Sequence, residues 1–274
     1  MAELAAWNGD QADGLRRLFG ARAPQVVAFT SGREACGRTT LVVQTAAALA
    51  AAGHGVVIMD ENPAPDNAVA AFGLTARHDF LQVVRGEKSL GHVALAAAPL
   101  VRIVPAARAA RELDRLGPAA ELRLAARLRD IQQGANFVLI DCAARRSNHL
   151  SPLARSAHHV AVVVAAQSGA ITHAYALIKG ISQDQGRDLF QIVVTRARLR
   201  EEAQAIYDNM RRVAREHLGV RLDYLGASAV PVTDNLAEAL LQRLPPPLDG
   251  GDGDGLDATS LAPAPRPGVL DSVI

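Results

Sequence analysis

Residues 25–40 read QVVAFTSGREACGRTT. The first six residues form a largely apolar run, which is typical of a strand buried on both faces. A loop bracketed by glycines follows, and an alanine-rich helix then runs from Thr40 to Ala52. A second apolar run, Val56–Met59, ends at Asp60. This order predicts a βαβ unit, whose parallel crossover should be right-handed.

The alternation of apolar runs and helical patterns continues through most of the chain. Four further strands are predicted at 101–104, 137–140, 160–164 and 191–194. Helices are predicted between or after them at 121–132, 173–184 and 202–217. Such alternation predicts an α/β fold with a doubly wound, mostly parallel sheet flanked by helices.

Composition divides the chain into a leader (residues 1–23), a folded domain (24–244) and a tail (245–274). The tail is rich in Pro, Gly and Asp, and it has too little apolar surface to fold alone, so we expect it to be disordered. In the leader, Leu15 and Leu18 are two of several apolar residues at helical spacing. A helix this short is marginal in water. We therefore expect the leader to order on a partner or to pack against the domain.

The overall composition excludes several classes of protein. Of the 274 residues, 49% are hydrophobic and 21% are charged, so the chain can form a globular core. The net charge of +1 gives no basic field that would favour nucleic acid. The two cysteines make no disulfide framework and fit a reducing cytosol. No apolar run reaches the roughly 18 residues of a membrane span. Because no secretion signal is recognisable either, we expect a cytoplasmic protein.

The loop after the first strand has the spacing of a phosphate-binding loop. It reads Gly-x4-Gly-x-Thr and matches a P-loop at every fixed position except the lysine, where Arg38 stands. Glycines let backbone N–H groups face a phosphate, and the following helix adds its dipole. Thr39 would coordinate Mg²⁺. An ordinary strand–helix turn explains the glycines equally well, so the loop alone leaves both interpretations open.

Two carboxylates at predicted strand ends favour a nucleotide site. Asp141 follows an apolar run at the place of a Walker-B carboxylate, and Asp60 ends the second strand. Each carboxylate taken alone is also compatible with capping the next turn. The loops after the first strand, after Asp60 and after Asp141 should converge at one sheet edge. That convergence favours the interpretation as a nucleotide-binding site. A Rossmann dinucleotide site, with Asp60 on a ribose, is disfavoured because Gly-x-Gly-x-x-Gly is missing.

Four segments resemble the MinD/ParA group of deviant-Walker ATPases: 31–40, 60–67, 141–144 and 171–179. Within that group the chain is most similar to the flagellar-number regulators called FlhG or FleN. Residues 10–16 match the segment through which those regulators engage and stimulate the flagellar GTPase FlhF. The resemblance runs from about residue 10 to residue 244.

The resemblance implies ATP and Mg²⁺ as cofactors and assigns roles to positions of this sequence. The implied nucleotide-binding residues are Gly32, Arg33, Gly37, Arg38, Thr39, Thr40, Asp141, Thr195 and Arg196. The implied metal ligands are Thr39, Asp60 and Asp141, and the implied catalytic positions are Asp60 and Asn62. The implied partner-binding residues are Asp10, Gln11, Ala12, Leu15 and Arg16.

The chain departs from this family at the positions that carry the chemistry. Arg33 and Arg38 occupy the two lysine positions, and Glu34 and Ala35 replace glycines. Asn62 stands where the family has its water-positioning second carboxylate. The adenine-reading asparagine of the family falls at Thr195.

These departures predict a degenerate nucleotide site. A planar guanidinium does not fit the path of a lysine across the β- and γ-phosphates. Glu34 brings a negative charge beside a triphosphate. Side chains at 34 and 35 are expected to force the backbone away from positive φ. Asn62 cannot accept a proton, which costs roughly 10²–10⁴ in rate where a general base is needed. We therefore predict weakened ATP binding and lost hydrolysis.

The resulting hypothesis is a regulator of flagellar number or placement that works by binding. Its expected partners are an FlhF-type GTPase, a flagellar switch protein or transcription activator, and a second copy of the chain. No direct nucleic-acid contact is expected. Membrane contact should be weak or indirect, with recruitment to the cell pole or inner membrane face, because the tail lacks a basic amphipathic helix. Two alternatives stay open: a working Mg²⁺-ATPase that dimerises on ATP, and a ParA-like cargo or DNA partitioning protein.

Overall fold

The computed structural model describes residues 23–115, 118–143, 148–167, 169–228 and Leu240. These residues form a sheet of eight strands in the order β3-β4-β2-β5-β1-β6-β7-β8. The strands are β1 (Gln25–Thr30), β2 (Val56–Asp60), β3 (Leu95–Ala98), β4 (Val101–Pro105), β5 (Phe137–Asp141), β6 (His159–Ala165), β7 (Leu189–Thr195) and β8 (Arg221–Ser228). All neighbours pair in parallel except β3 and β4. The predicted α/β fold with a mostly parallel sheet is thus confirmed.

Four long helices connect and flank the strands. They are α1 (Arg38–Ala51), α6 (Pro118–Gln132), α8 (Ala170–Gln185) and α9 (Arg200–Leu218). Five short helices lie in the connections: α2 (Ala68–Ala71), α3 (Phe80–Val84), α4 (Leu90–Val93), α5 (Ala107–Glu112) and α7 (Pro152–Arg155). A 3₁₀ turn at Leu113–Arg115 follows α5. The four helices predicted from periodicity correspond to the four long ones.

The six strands predicted from apolar runs are confirmed, and two further strands were missed. β3 is short and alternates half-buried with exposed residues. β8 begins with alternating exposed and buried residues, among them the exposed Arg221 and Asp223. Both lie at the ends of the strand order. A strand at a sheet edge has a solvent-facing side, so its sequence lacks the continuous apolar run of a central strand.

The register of the central strands brings several loops together. β5 pairs with both β1 and β2, and in these ladders Asp141 lies opposite Phe29 and opposite Asp60. Every residue of β2, β5 and β6 is buried, and Phe29 and Leu139 are among the largest fully buried side chains. A sheet buried on both faces fixes this register, because a one-residue slip would turn each strand's side chains to the opposite face.

The predicted leader, apart from Ala23, and the predicted tail lie outside the described residues. The implied partner-binding residues Asp10, Gln11, Ala12, Leu15 and Arg16 therefore have no structural placement here. Within the described ranges, no helix is both long and apolar enough to cross a membrane.

Candidate functional site

A cleft of about 580 Å³ opens at the carboxyl ends of the central strands. The loop between β1 and α1 forms one side, and residues after β2 and β7 complete it. Its lining comprises Ser31, Glu34, Ala35, Cys36, Gly37, Arg38, Thr39, Thr40, Asn62, Pro63, Ala64, Asp66 and Arg196. The structure thus brings Gly37, Arg38, Thr39, Thr40, Asn62 and Arg196 of the predicted set to one cleft. Arg33 is exposed in the same loop, whereas Asp60, Asp141 and Thr195 are buried beside the lining residues.

The loop keeps the curled backbone of a phosphate loop. Gly37 has φ +81° and directly precedes α1. Ala35 has φ +58°, a conformation that favours glycine. The prediction that a side chain at 35 would force the backbone away from positive φ is therefore wrong. The left-handed conformation costs a non-glycine residue about 1–2 kcal/mol, and contacts on either side of Ala35 can offset that cost.

Three hydrogen bonds hold the loop around Ala35. The Thr195 hydroxyl, 1% exposed, donates to the Cys36 carbonyl oxygen at 2.7 Å. The Cys36 Sγ donates to the Arg33 carbonyl oxygen at 3.2 Å, and the Ser31 hydroxyl donates to the same oxygen at 2.9 Å. The hydroxyl at the family's adenine-reading position is thus used to fasten the loop to β7.

Arg38 turns its side chain toward the strand ends. Its Nε donates to Asp141 Oδ1 at 2.5 Å, and its Nη1 donates to the Ser31 hydroxyl at 3.3 Å. Arg38 is 8% exposed and Asp141 is fully buried. Burial by itself would lower the pKa of Arg38, but the adjacent Asp141 carboxylate outweighs it and the pKa is raised. The guanidinium is therefore permanently charged and paired inside the protein.

Thr39 and Asn62 continue the network on the cleft side. The Thr39 hydroxyl donates to Asp141 Oδ2 at 2.6 Å and accepts from Asn62 Nδ2 at 3.0 Å. Asn62 Oδ1 accepts from the Ala64 N–H at 3.1 Å. The amide nitrogen and the amide oxygen of Asn62 are thus both hydrogen-bonded within the protein. A carboxamide offers no general base at this position.

Asp60 faces away from this cleft and stabilises the loop after β2. Its Oδ1 accepts from the Asn62 N–H at 3.1 Å and its Oδ2 from the Val69 N–H at 2.9 Å. It is 2% exposed and lines a separate cleft of about 440 Å³. Burial is the main reason that the pKa of Asp60 rises from 3.8 to about 6.

Glu61 was not predicted from the sequence, although it is fully buried beside the site. Its Oε2 accepts from the Ala143 N–H at 3.1 Å, and its Oε1 accepts a short hydrogen bond from the Ser151 hydroxyl. Glu61 thereby ties the end of β2 to the loop after β5 and to α7. Two consecutive acidic residues at a strand end were the signal that could have identified it.

Magnesium does not suit the donor set at this site. Mg²⁺ needs near-octahedral oxygen ligands, with one or two carboxylates and its retained waters. Both Asp141 oxygens accept from Arg38 or Thr39, and both Asp60 oxygens accept backbone N–H groups. The Arg38 guanidinium would also repel the ion. Among the described residues, no cluster of three or more His, Cys, Asp or Glu side chains could hold a metal elsewhere. Cys36 and Cys142 are buried free thiols.

Known proteins resemble the chain in sequence and in fold, although no family model matches it. It is 30% identical over 219 residues to the "Antiactivator FleN" of Pseudomonas aeruginosa, covering 80% of this chain and 78% of that protein. It is 23% identical over 202 residues to the "Flagellum site-determining protein YlxH" of Helicobacter pylori, covering 73% of this chain and 68% of that one.

Among solved structures, the MinC:MinD cell division protein complex of Aquifex aeolicus has the same fold. Its matching chain superposes with a TM-score of 0.60 at 16% identity, covering 81% of this chain and 97% of that one. At that identity the likeness establishes the fold alone. The sequence identity to FleN over four fifths of the chain establishes the family: this chain belongs to the FlhG/FleN family, and its fold is that of MinD.

Proposed function

We propose that this protein regulates flagellar number or placement by binding partners, and that its ATP binding is weakened and its ATP hydrolysis lost. The names of two relatives, an antiactivator and a flagellum site-determining protein, support the flagellar role. Both relatives match most of this chain, over 219 and 202 residues.

The observation that carries the loss of hydrolysis is the Arg38–Asp141 pair. Arg38 stands at the lysine position of the loop, and its guanidinium is directed at the buried carboxylate, away from a path across phosphates. Asn62 adds a second reason, because a carboxamide cannot act as a general base for an attacking water. The cleft has the shape expected of a nucleotide site, but its charged side chains differ from those that the family uses.

The leader is the proposed contact with an FlhF-type GTPase, through Asp10, Gln11, Ala12, Leu15 and Arg16. Its apolar residues at helical spacing suit a segment that folds against a partner. The domain would contact a flagellar switch protein or a transcription activator, and the word "antiactivator" in the relative's name favours the activator. Recruitment to the cell pole would then follow from these partners.

A second candidate is a working ATPase that dimerises on ATP. The curled loop, with Gly37 and even Ala35 at positive φ, and the open cleft of about 580 Å³ favour it. Calorimetric titration with ATP and Mg²⁺ separates the two candidates. The native chain should bind far more weakly than the variant carrying Arg38→Lys with Asn62→Asp. Micromolar binding by the native chain, with ATP-dependent dimerisation, would establish the ATPase instead.

GTP turnover by the flagellar GTPase tests the binding role. The native chain should bind the GTPase and accelerate its turnover, and Leu15→Ala with Arg16→Glu should abolish both effects. Arg127→Ala, on the exposed surface of α6, serves as the control and should leave stimulation intact. Absence of binding by the native chain, or equal stimulation by the leader variant, would contradict the proposal.

A further inference from the structure

The Arg38 side chain meets the carboxylate that a divalent cation would need. Asp141 ends β5 behind the residues that line the cleft and has no exposed surface. Its Oδ1 accepts a hydrogen bond from Arg38 Nε at 2.5 Å, and its Oδ2 accepts one from the Thr39 hydroxyl at 2.6 Å. A cation approaching from the cleft therefore meets a carboxylate whose two oxygens are both engaged and whose charge is already balanced.

The neighbouring oxygens are engaged as well. The Thr39 hydroxyl donates to Asp141 and accepts from Asn62 Nδ2, so its oxygen is hydrogen-bonded in both directions. Asn62 Oδ1 accepts from the Ala64 N–H. For Mg²⁺ to bind here, it would have to displace these donors and take the place of Arg38 at Asp141, which would leave the buried guanidinium unpaired and next to a second positive charge.

The same guanidinium connects the elements that a bound nucleotide and its metal would otherwise connect. Arg38 belongs to the first turn of α1, Asp141 to the end of β5, and Ser31, which accepts from Arg38 Nη1 at 3.3 Å, to the start of the loop. The Thr195–Cys36 hydrogen bond fastens the middle of the loop to β7. The loop is thus held on both sides by contacts within the chain.

We propose that Arg38 is a built-in replacement for the divalent cation: the cleft holds no metal, and the phosphate loop is ordered without metal or nucleotide. An arginine suits this role better than a lysine. Its planar group donates in several fixed directions, and here it reaches a carboxylate and a hydroxyl simultaneously. A covalently attached cation cannot be removed by a chelator or by dissociation. The inference rests on the proposed loss of the ATPase cycle at this cleft.

Electron paramagnetic resonance of Mn²⁺ with the full chain and ADP tests the replacement directly. Relative to the same Mn²⁺ and ADP without protein, the native chain should leave the free Mn²⁺ signal unchanged, whereas Arg38→Lys should reduce it further, because a slim lysine frees Asp141 for the metal. The control is Arg127→Lys, in the exposed Arg127–Asp130 pair, which should behave as the native chain does. Bound Mn²⁺ in the native chain, or none in the Arg38→Lys chain, would overturn the proposal.

A second measurement needs no variant. Amide hydrogen exchange across residues 31–40 of the native chain should give the same protection with and without Mg²⁺ and ADP, since the contacts that order the loop are internal. The proposal would be overturned if Mg²⁺ and ADP increased the protection of these amides tenfold or more. A tenfold increase corresponds to roughly 1.4 kcal/mol in the free energy of local opening. Neither measurement involves the flagellar GTPase, so failure here is distinguishable from failure of the proposed partner binding.

Discussion

Gly32 lies directly against the backbone of His173. A Cβ built on Gly32 would be 2.3 Å from the His173 carbonyl carbon and 2.6 Å from the Ala174 nitrogen. The start of the phosphate loop and the first turn of α8 are therefore in backbone contact, and only glycine permits that approach. The contact gives a structural reason for a glycine that the family resemblance assigned to nucleotide binding.

Replacement of Gly32 should therefore test packing rather than ligand binding. Gly32→Ala should lower the free energy of unfolding by about 1–3 kcal/mol or more, because backbone atoms cannot move aside as a flexible side chain can. Urea denaturation measures the change. Gly91→Ala is the matched control: a Cβ there meets nothing within 4 Å, and alanine should be neutral or stabilise α4. Equal stability of the Gly32→Ala chain and the native chain would contradict the close contact.

The Arg38–Asp141 pair should show strong energetic coupling. Arg38→Met alone leaves a buried carboxylate with one hydroxyl donor and should cost about 3–5 kcal/mol of stability. The double variant, Arg38→Met with Asp141→Leu, removes both charges and should cost far less than the sum of the two single changes. Urea denaturation of the four chains at one pH gives the coupling energy.

An exposed ion pair provides the reference for this double-mutant cycle of Arg38 and Asp141. Arg127 and Asp130 lie 2.8 Å apart on α6 and are both well exposed. Their coupling should stay below about 1 kcal/mol, since solvent screens the charges. If the buried pair were no more strongly coupled than this exposed one, Arg38 and Asp141 would not form a persistent buried ion pair in solution.

Asp60 should make stability depend on pH in an unusual direction for a carboxylate. Burial raises its folded-state pKa from 3.8 to about 6, so between these values the folded chain holds a proton that the unfolded chain has lost. Its contribution to stability is fully present below pH 3.8 and is lost as the pH rises through about 6.

The pH dependence can be measured against a variant that cannot titrate. As the pH falls from about 7.5 to about 4.5, the native chain should gain stability relative to Asp60→Asn. A ¹³C titration of the Asp60 carboxyl carbon should give a midpoint near pH 6. Parallel stability curves for the two chains, or a midpoint near pH 4, would show that Asp60 is not held in a desolvated site.

Much of the framework was predictable because central strands have a simple signature. Residues 26–30 and 137–141 are buried on both faces, so continuous apolar runs mark them in the sequence. β3 and β8 were missed because edge strands carry polar residues on an open side, and the pattern of β8 includes Arg221 and Asp223. The short helices α2, α3, α4, α5 and α7 have too few turns to show a helical period.

The candidate site was predictable in position and less so in its contacts. The spacing of residues 31–40 and the strand ends at Asp60 and Asp141 correctly placed the loop and two carboxylates near one sheet edge. No pattern in the sequence indicated that Asp60 would turn to the loop after β2, or that Ala35 would keep positive φ. Side-chain direction depends on neighbours that are distant along the chain.

The α/β fold and the positions of six strands along the chain could be read from local properties, because burial on both faces gives continuous apolar runs. The contacts that the loop residues make depend instead on which distant elements the fold brings together. Arg38 and Asp141 are 103 positions apart in the chain, and their ion pair exists because parallel strands place α1 over the end of β5. A charged side chain that leaves water must find a partner, and the fold determines which partner is within reach.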